Sequence, residues 1–223
     1  ARLDFKRDGE SDIEELYIGK VGIIDEKNNI ANIGDKKLTE GRLFYMLRMI
    51  VDRYIVCNEG IGLHSGLAYH KGKAFFLIGD TKSGKSFYVK KLKENNIEVL
   101  GDDHTIILNN YIMGNSKSRV RDNDVEHYED NSPNIKYLNN YLVFDINING
   151  KKEISEISFE DYIKILDFKP VLKYLYCGIE TESQNIKIDS EIIENYRKRY
   201  LNFLKNAEKI IKINGNYFED NKR

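Results

Sequence analysis

Eight residues, Gly79-Asp80-Thr81-Lys82-Ser83-Gly84-Lys85-Ser86, fill every fixed position of the pattern G-x-x-x-x-G-K-[ST]. The chemistry such a segment can do is to hold phosphates. Glycines let the backbone turn with its N–H groups inward and no side chain in the way. A helix that starts at the loop offers its positive end to an anion. Lys85 adds a cation that can follow the charge on a transferred phosphate, and the Ser86 hydroxyl can ligate Mg²⁺. ATP, or another phosphate donor, and Mg²⁺ are therefore the expected cofactors.

A second feature follows in Asp102-Asp103. Two adjacent carboxylates repel unless they are solvated, paired or bound to a cation. On its own such a pair is often only a turn. Beside a phosphate loop, Mg²⁺ and a substrate proton give both carboxylates a reason to be there. Tyr141 to Asp145 (YLVFD) is a third candidate: four apolar residues and then an acid, the form of a strand that ends in a metal-side carboxylate.

The elements that must position these groups are legible around them. Leu63 to Tyr69 (LHSGLAY) reads as a strand, His70 to Lys73 as a tight turn, and Ala74 to Ile78 (AFFLI) as a buried strand running into the loop. So short a turn predicts an antiparallel hairpin leading into the loop, hence a mixed α/β sheet. A helix over Ser86 to Lys93 ends at Asn95-Asn96, and Ile97 to Leu100 delivers the Asp pair at its C-terminal end. Sixteen residues separate Lys85 from Asp102, enough for one short helix and a strand.

Further out the pattern is ordinary. Leu16 to Ile24 and Ile30 to Ile33 flank a turn, and a helical stripe follows Thr39. Thr105 to Leu108 reads as a strand and Asn109 to Ser132 as a polar loop. Tyr137 to Ile148 is a strand region, Ser158 to Leu166 a helix capped by Ser158, Asp189 to Lys209 a longer helix, and Lys209 to Ile213 a last strand. Residues 1–15 are charged and predicted to fray. Without a linker rich in Gly, Pro or Ser, residues 1–223 read as a single domain.

Composition excludes other classes. Lys and Arg number 35 against 36 Asp and Glu, a net charge of −1, which argues against a protein that coats nucleic acid. The sequence holds no apolar run long enough to span a bilayer and its start does not read as a secretory signal. Cys57 and Cys177 stand apart, as buried thiols of a cytoplasmic protein would. An N-K-x-D guanine-reading motif and an LSGGQ-like signature are both missing, against a GTPase switch and a transporter ATPase.

The stretch LHSGLAYHKGKAFFLIGDTKSGKS, followed after a short helix by VLGDDHTII, resembles the catalytic domain of HPr kinase/phosphorylase and its small relatives, which share the fold of phosphoenolpyruvate carboxykinase. Leu63-His64-Ser65, Gly72, the loop and Asp102-Asp103 carry the resemblance, over roughly residues 60–108. It implies a kinase in which Lys85 binds phosphate, Ser86 and Asp102 serve Mg²⁺, Asp103 takes the proton of the acceptor hydroxyl and His64 sits beside the phosphates. The longer enzymes' Glu-Ile-Arg-Gly signature is missing here; Glu126 and Glu129 lie near its place, as do Arg119 and Arg121 near that of a later arginine. That points to a stand-alone kinase of another hydroxyl.

Two rival readings keep the loop. One makes Asp145 the metal-side carboxylate of a conventional loop NTPase; the other is a nucleotide-binding regulatory module without transfer, against which the presence of both aspartates argues. The acceptor stays open among a protein serine, a peptide, a free hydroxy amino acid and an RNA hydroxyl, and a homo-oligomer is compatible with the sequence.

Overall fold

The computed structural model describes residues 15–17, 22–25, 30–33, 55, 59–80, 82–115, 117–122, 125–130, 135–168 and 190–217, with the backbone alone for the strands before residue 55 and for 117–130. The start of the chain as far as residue 14, the helix expected after Thr39, Thr81 and both cysteines lie outside these residues.

In chain order the elements are β1 (Glu15–Tyr17), β2 (Gly22–Asp25), β3 (Ile30–Ile33), β4 (Ile61–Leu63), β5 (Gly66–His70), β6 (Lys73–Ile78), α1 (Lys85–Glu94), β7 (Glu98–Gly101), β8 (Thr105–Leu108), β9 (Tyr111–Gly114), β10 (Lys117–Asp122), β11 (Val125–Asp130), β12 (Lys136–Tyr137), β13 (Asn140–Asn147), β14 (Glu153–Ile157), α2 (Phe159–Ile165), α3 (Ser190–Lys205) and β15 (Lys209–Asn214). The class is mixed α/β, as expected.

A six-stranded sheet in the order β14-β15-β13-β6-β5-β7 organises the candidate site. β6 pairs antiparallel with β5 through a two-residue turn whose residues, Lys71 and Gly72, both have positive φ (49° and 81°). That turn matches the twist of the strands it joins. On its other side β6 pairs parallel with β13, which pairs parallel with β15. Three parallel strands therefore end together, flanked by antiparallel ones.

Alternate residues of β6 feed two apolar clusters. Ala74, Phe76 and Ile78 join one with Tyr196, Tyr200 and Phe203 of α3; Phe75 and Leu77 join the other with Tyr88 and Val89 of α1. Period two in a strand with both faces covered produces this unbroken apolar run. Phe76 meets Phe203 edge-on at 4.9 Å and Tyr141 stacks on Phe203 at 5.0 Å, fixing α3 beneath the parallel strands.

A second sheet runs β12-β9-β8-β4. Here the structure corrects the expectation of one strand from Leu63 to Tyr69. β4 pairs with β8 in this sheet, while β5 pairs with β6 and β7 in the other. His64 and Ser65 are the crossing. Gly66 opens β5 where a Cβ would stand 2.5 Å from Val89 of α1, so the crossing needs a residue without a side chain.

Two more expectations are corrected, and one further strand is added. Asn109 to Ser132 is not a loop: β9 pairs with β8, and β10 with β11, both antiparallel. Leu16 to Ile24 is two strands, since β1 folds back on β2. β14 (EISEI), with two isoleucines among polar residues and no period of two, adds an antiparallel edge to β15. The helix capped by Ser158 holds: the Asp161 N–H donates to the Ser158 hydroxyl at 3.1 Å.

Candidate functional site

The loop leaves β6 at Gly79, with φ of 140°, and passes Lys82 and Gly84, with φ of 66° and 98°. A Cβ on Gly79 would lie 2.5 Å from the Ile146 carbonyl and 2.7 Å from the Ser83 hydroxyl; one on Gly84 would meet Ile148 at 2.6 Å. Both glycines are thus required by conformation and by close approach. The Ser83 N–H donates to the Asp80 carbonyl at 3.1 Å, and the Ile148 N–H to the Ser83 carbonyl at 2.7 Å, tying the loop to the chain after β13.

α1 then begins with Gly84 as its cap, no side-chain cap bond and no acidic residue in its first turn. Its positive end is left to an outside anion. Ser83, buried against the same loop, has a hydroxyl with no hydrogen-bond partner. A buried, unmatched hydroxyl beside an uncapped helix start suits a bound phosphate.

Lys85 is 6% exposed, and its ammonium donates to the carbonyls of Gly79 and Asp80, both at 2.8 Å. Burial lowers its pKa from 10.5 to about 8, against the pull of Asp103 first, then Asp80 and Asp145. The loop therefore encloses a cation that loses its proton more readily than an exposed lysine, and an incoming phosphate would favour the charged form.

Asp102 and Asp103, which follow β7, point to different surroundings. Asp102 is 3% exposed, and its carboxylate accepts from the Asn115 amide at 3.4 Å. The Asn115 Oδ1 in turn accepts from the N–H groups of Asp102, Asp103 and His104 at 3.0, 3.4 and 3.4 Å. Asp103 is more open. Its carboxylate lies 3.1 Å, and its carbonyl 3.2 Å, from Nδ1 of His64. Both partners are acceptors, so Nδ1 carries a proton and donates.

A cleft of about 600 Å³ runs from His64, which contacts Asp103, past Gly79 and Ser83 to Asp145, Tyr162 and Lys212. Asp145 sits opposite Ile78 in the β13–β6 register and opposite Lys212 in the β13–β15 register. Burial raises the Asp145 pKa, opposed by Lys212 and by a hydrogen bond from Tyr162. Burial also pushes the Tyr162 and Tyr200 hydroxyls well above their ordinary range. Both hydroxyls keep their protons, and that of Tyr162 donates to Asp145.

The structure thus gathers most of the residues named from sequence: the described loop residues, Lys85, Asp103, His64 and Asp145. Ser86 lies exposed at the start of α1, and Asp102 is turned inward onto Asn115. Side chains of Arg119, Arg121, Glu126 and Glu129 are outside the described set. Sequence reasoning missed Asn115, Tyr162 and Lys212. Asn115 had no signal; Lys212 had one, a charge set between the isoleucines of KIIKIN.

No protein-family model and no curated protein matches this chain. Among the described residues no group of three or more His, Cys, Asp and Glu could cage a metal ion, and no helix is long and apolar enough to cross a membrane.

Proposed function

We propose that the chain is an ATP-dependent phosphotransferase of the HPr-kinase-like kind, moving a phosphoryl group to a hydroxyl acceptor. The observation that carries this reading is Lys85, buried inside the glycine loop on two carbonyls with Asp103 as its strongest opposite charge. A buried cation with a carboxylate beside it is what phosphoryl transfer asks of a protein: one group for the moving charge and one for the acceptor proton.

The residues divide the work. Loop N–H groups and the start of α1 bind the phosphates, with the Ser83 hydroxyl as a further donor. Asp103, oriented by His64, receives the proton of the attacking hydroxyl. Asp102, held by Asn115, fixes the turn that presents Asp103. Mg²⁺ keeps few protein ligands and leans on the phosphates of its nucleotide. Ser86 would hold it, and the ion would neutralise phosphate charge. The antiparallel entry of β5 and β6 into the loop supports the likeness to phosphoenolpyruvate carboxykinase-type folds over a doubly wound parallel sheet.

A second reading has one observation in its favour. β13 is parallel to β6 and sets Asp145 level with Ile78, just before the loop, where a conventional loop NTPase keeps its metal-side acid. The decisive experiment is turnover of labelled ATP with and without hydroxyl acceptors in wild type, Lys85→Ala, Asp103→Asn and Asp145→Asn. Acceptor-dependent turnover lost in the first two variants supports the kinase. Turnover lost only in the Asp145 and Lys85 variants supports the NTPase.

A further inference from the structure

The three parallel strands end side by side, and what they present differs. β6 ends in the loop, β13 in Asp145 and Asn147, and β15 in Lys212 and Asn214. The register sets Asp145 beside Lys212 and Asn147 beside Asn214. Residues two apart on a strand share a face, so these four form a square of one anion, one cation and two amides. All four line the cleft that continues from the loop. Strands lie ~4.8 Å apart and residues on one face ~6.6 Å apart, which gives the square the span of an amino-acid head group. The carboxyl ends of parallel strands are also where open α/β sheets take their ligands.

The walls narrow the choice of ligand. A nucleobase needs a free aromatic face, yet the rings of Tyr162, Tyr196 and Tyr200 are 3%, 0% and 3% exposed. Tyr196 and Tyr200 stack on each other, and the Tyr196 hydroxyl donates to the Gly62 carbonyl. Where the parallel strands end the cleft is polar, with Asp145 and the Tyr162 hydroxyl on one side and Lys212 with amides on the other, while Leu63, Ile78, Ile165 and Leu166 line the rest. A second phosphate chain would meet Asp145; an apolar acceptor would leave both charges unmatched.

We propose that this square seats the acceptor, and that the acceptor is a free β-hydroxy-α-amino acid whose ammonium faces Asp145 and whose carboxylate faces Lys212 and the amides of Asn147 and Asn214. The proposal rests on the phosphotransferase reading above and names its substrate class. The side-chain hydroxyl then extends toward the loop. Its oxygen forms the new bond to the γ-phosphorus of ATP, the bond from that phosphorus to the β,γ-bridging oxygen breaks, ADP leaves with the electron pair, and the hydroxyl proton passes to Asp103.

The test is calorimetric binding of L-serine to the full chain without nucleotide, followed by transfer from labelled ATP. L-Serine is expected to bind, while L-serinamide and N-acetyl-L-serine, each lacking one charge, bind about tenfold or more weakly. Lys212→Gln removes the preference for L-serine over L-serinamide, and Asp145→Asn the preference for L-serine over N-acetyl-L-serine, a coupling that general destabilisation does not produce. Absence of L-serine binding, equal binding of all three ligands by wild type, or unchanged preferences in the variants would each overturn the seat; the last means an internal ion pair only. Binding with the expected preferences but no phosphate on L-serine supports the seat and overturns the phosphotransferase reading. Transfer to N-acetyl-L-serinamide as fast as to L-serine supports the kinase and overturns the free amino acid.

Discussion

Nδ1 of His64 and the carboxylate of Asp103 stand 3.1 Å apart across 39 positions of chain. His64 follows β4 in one sheet and Asp103 follows β7 in the other, so the contact joins the two sheets at the loop's edge. In the proposed kinase that bond orients the base. Asp103→Asn keeps the shape and removes the proton acceptor, and transfer is expected to fall by roughly 10²–10⁴-fold while ATP still binds. His64→Ala is expected to cost less, through misplacement of Asp103. Single-turnover transfer and nucleotide titration on each variant measure both effects; an Asp103→Asn variant at wild-type rate ends the assignment.

Asp145→Asn separates the two readings of the loop. With Asp145 in the acceptor seat, the variant raises the KM for the acceptor and leaves kcat near wild type at saturation. With Asp145 as metal-side acid, kcat collapses and excess acceptor does not restore it. Steady-state kinetics over a range of acceptor concentrations gives the answer.

The lowered pKa of Lys85 has two consequences of opposite sign. Between about 8, its folded value, and 10.5, its ordinary one, the folded chain holds fewer protons than the unfolded chain. This group's contribution to stability therefore rises with pH across that window, and its burial cost is present in full below it. Phosphate binding favours the ammonium, so above pH 8 nucleotide binding takes up a proton and affinity falls by up to about tenfold per pH unit. Calorimetry in buffers of different ionisation heat reads the uptake. Affinity that stays flat up to pH 10 would contradict the lowered pKa of the buried lysine.

Asn115→Ala removes the one oxygen that accepts from three successive N–H groups of the Asp turn. A loss of about 1–2 kcal/mol in denaturant unfolding is expected, since only the 3.0 Å bond is near ideal length. Transfer falls further than stability explains, because Asp103 loses its fixed turn, while the KM for ATP stays put.

Gly84→Ala puts a Cβ 2.6 Å from Ile148 on a residue with φ of 98°. Strain of about 1–3 kcal/mol is expected, with loss of phosphate binding because the loop must open to relieve it. Gly72→Ala serves as the control. Its φ is also positive, at 81°, but nothing lies within 4 Å, so it lowers stability without touching nucleotide affinity. Melting curves with and without ATP compare the two.

The sequence by itself determined what is local. The loop pattern, the AFFLI strand before it, the helix after it and the HKGK turn all depend on neighbours within a few residues, and each formed where the spacing placed it. The antiparallel pairing of β5 with β6 was legible for the same reason, since a two-residue turn leaves no other choice. Candidate chemistry was legible because Lys85, Asp103 and His64 sit beside recognisable local signals.

Only the tertiary structure decided which of these groups share a site. The break of LHSGLAY at His64 depends on β4 finding β8, some forty residues away, and Gly66 alone does not reveal it. The strands β10 and β11 were hidden because their polar residues alternate with few apolar ones, leaving backbone pairing as the organising force. Asn115 gained its role from a turn brought to it by β7 and β9. Lys212 came beside Asp145 through parallel pairing of β13 with β15, across a connection that holds both α2 and α3. Parallel neighbours are joined by long crossovers, so their register is set by packing of the whole sheet and cannot be read from either strand alone.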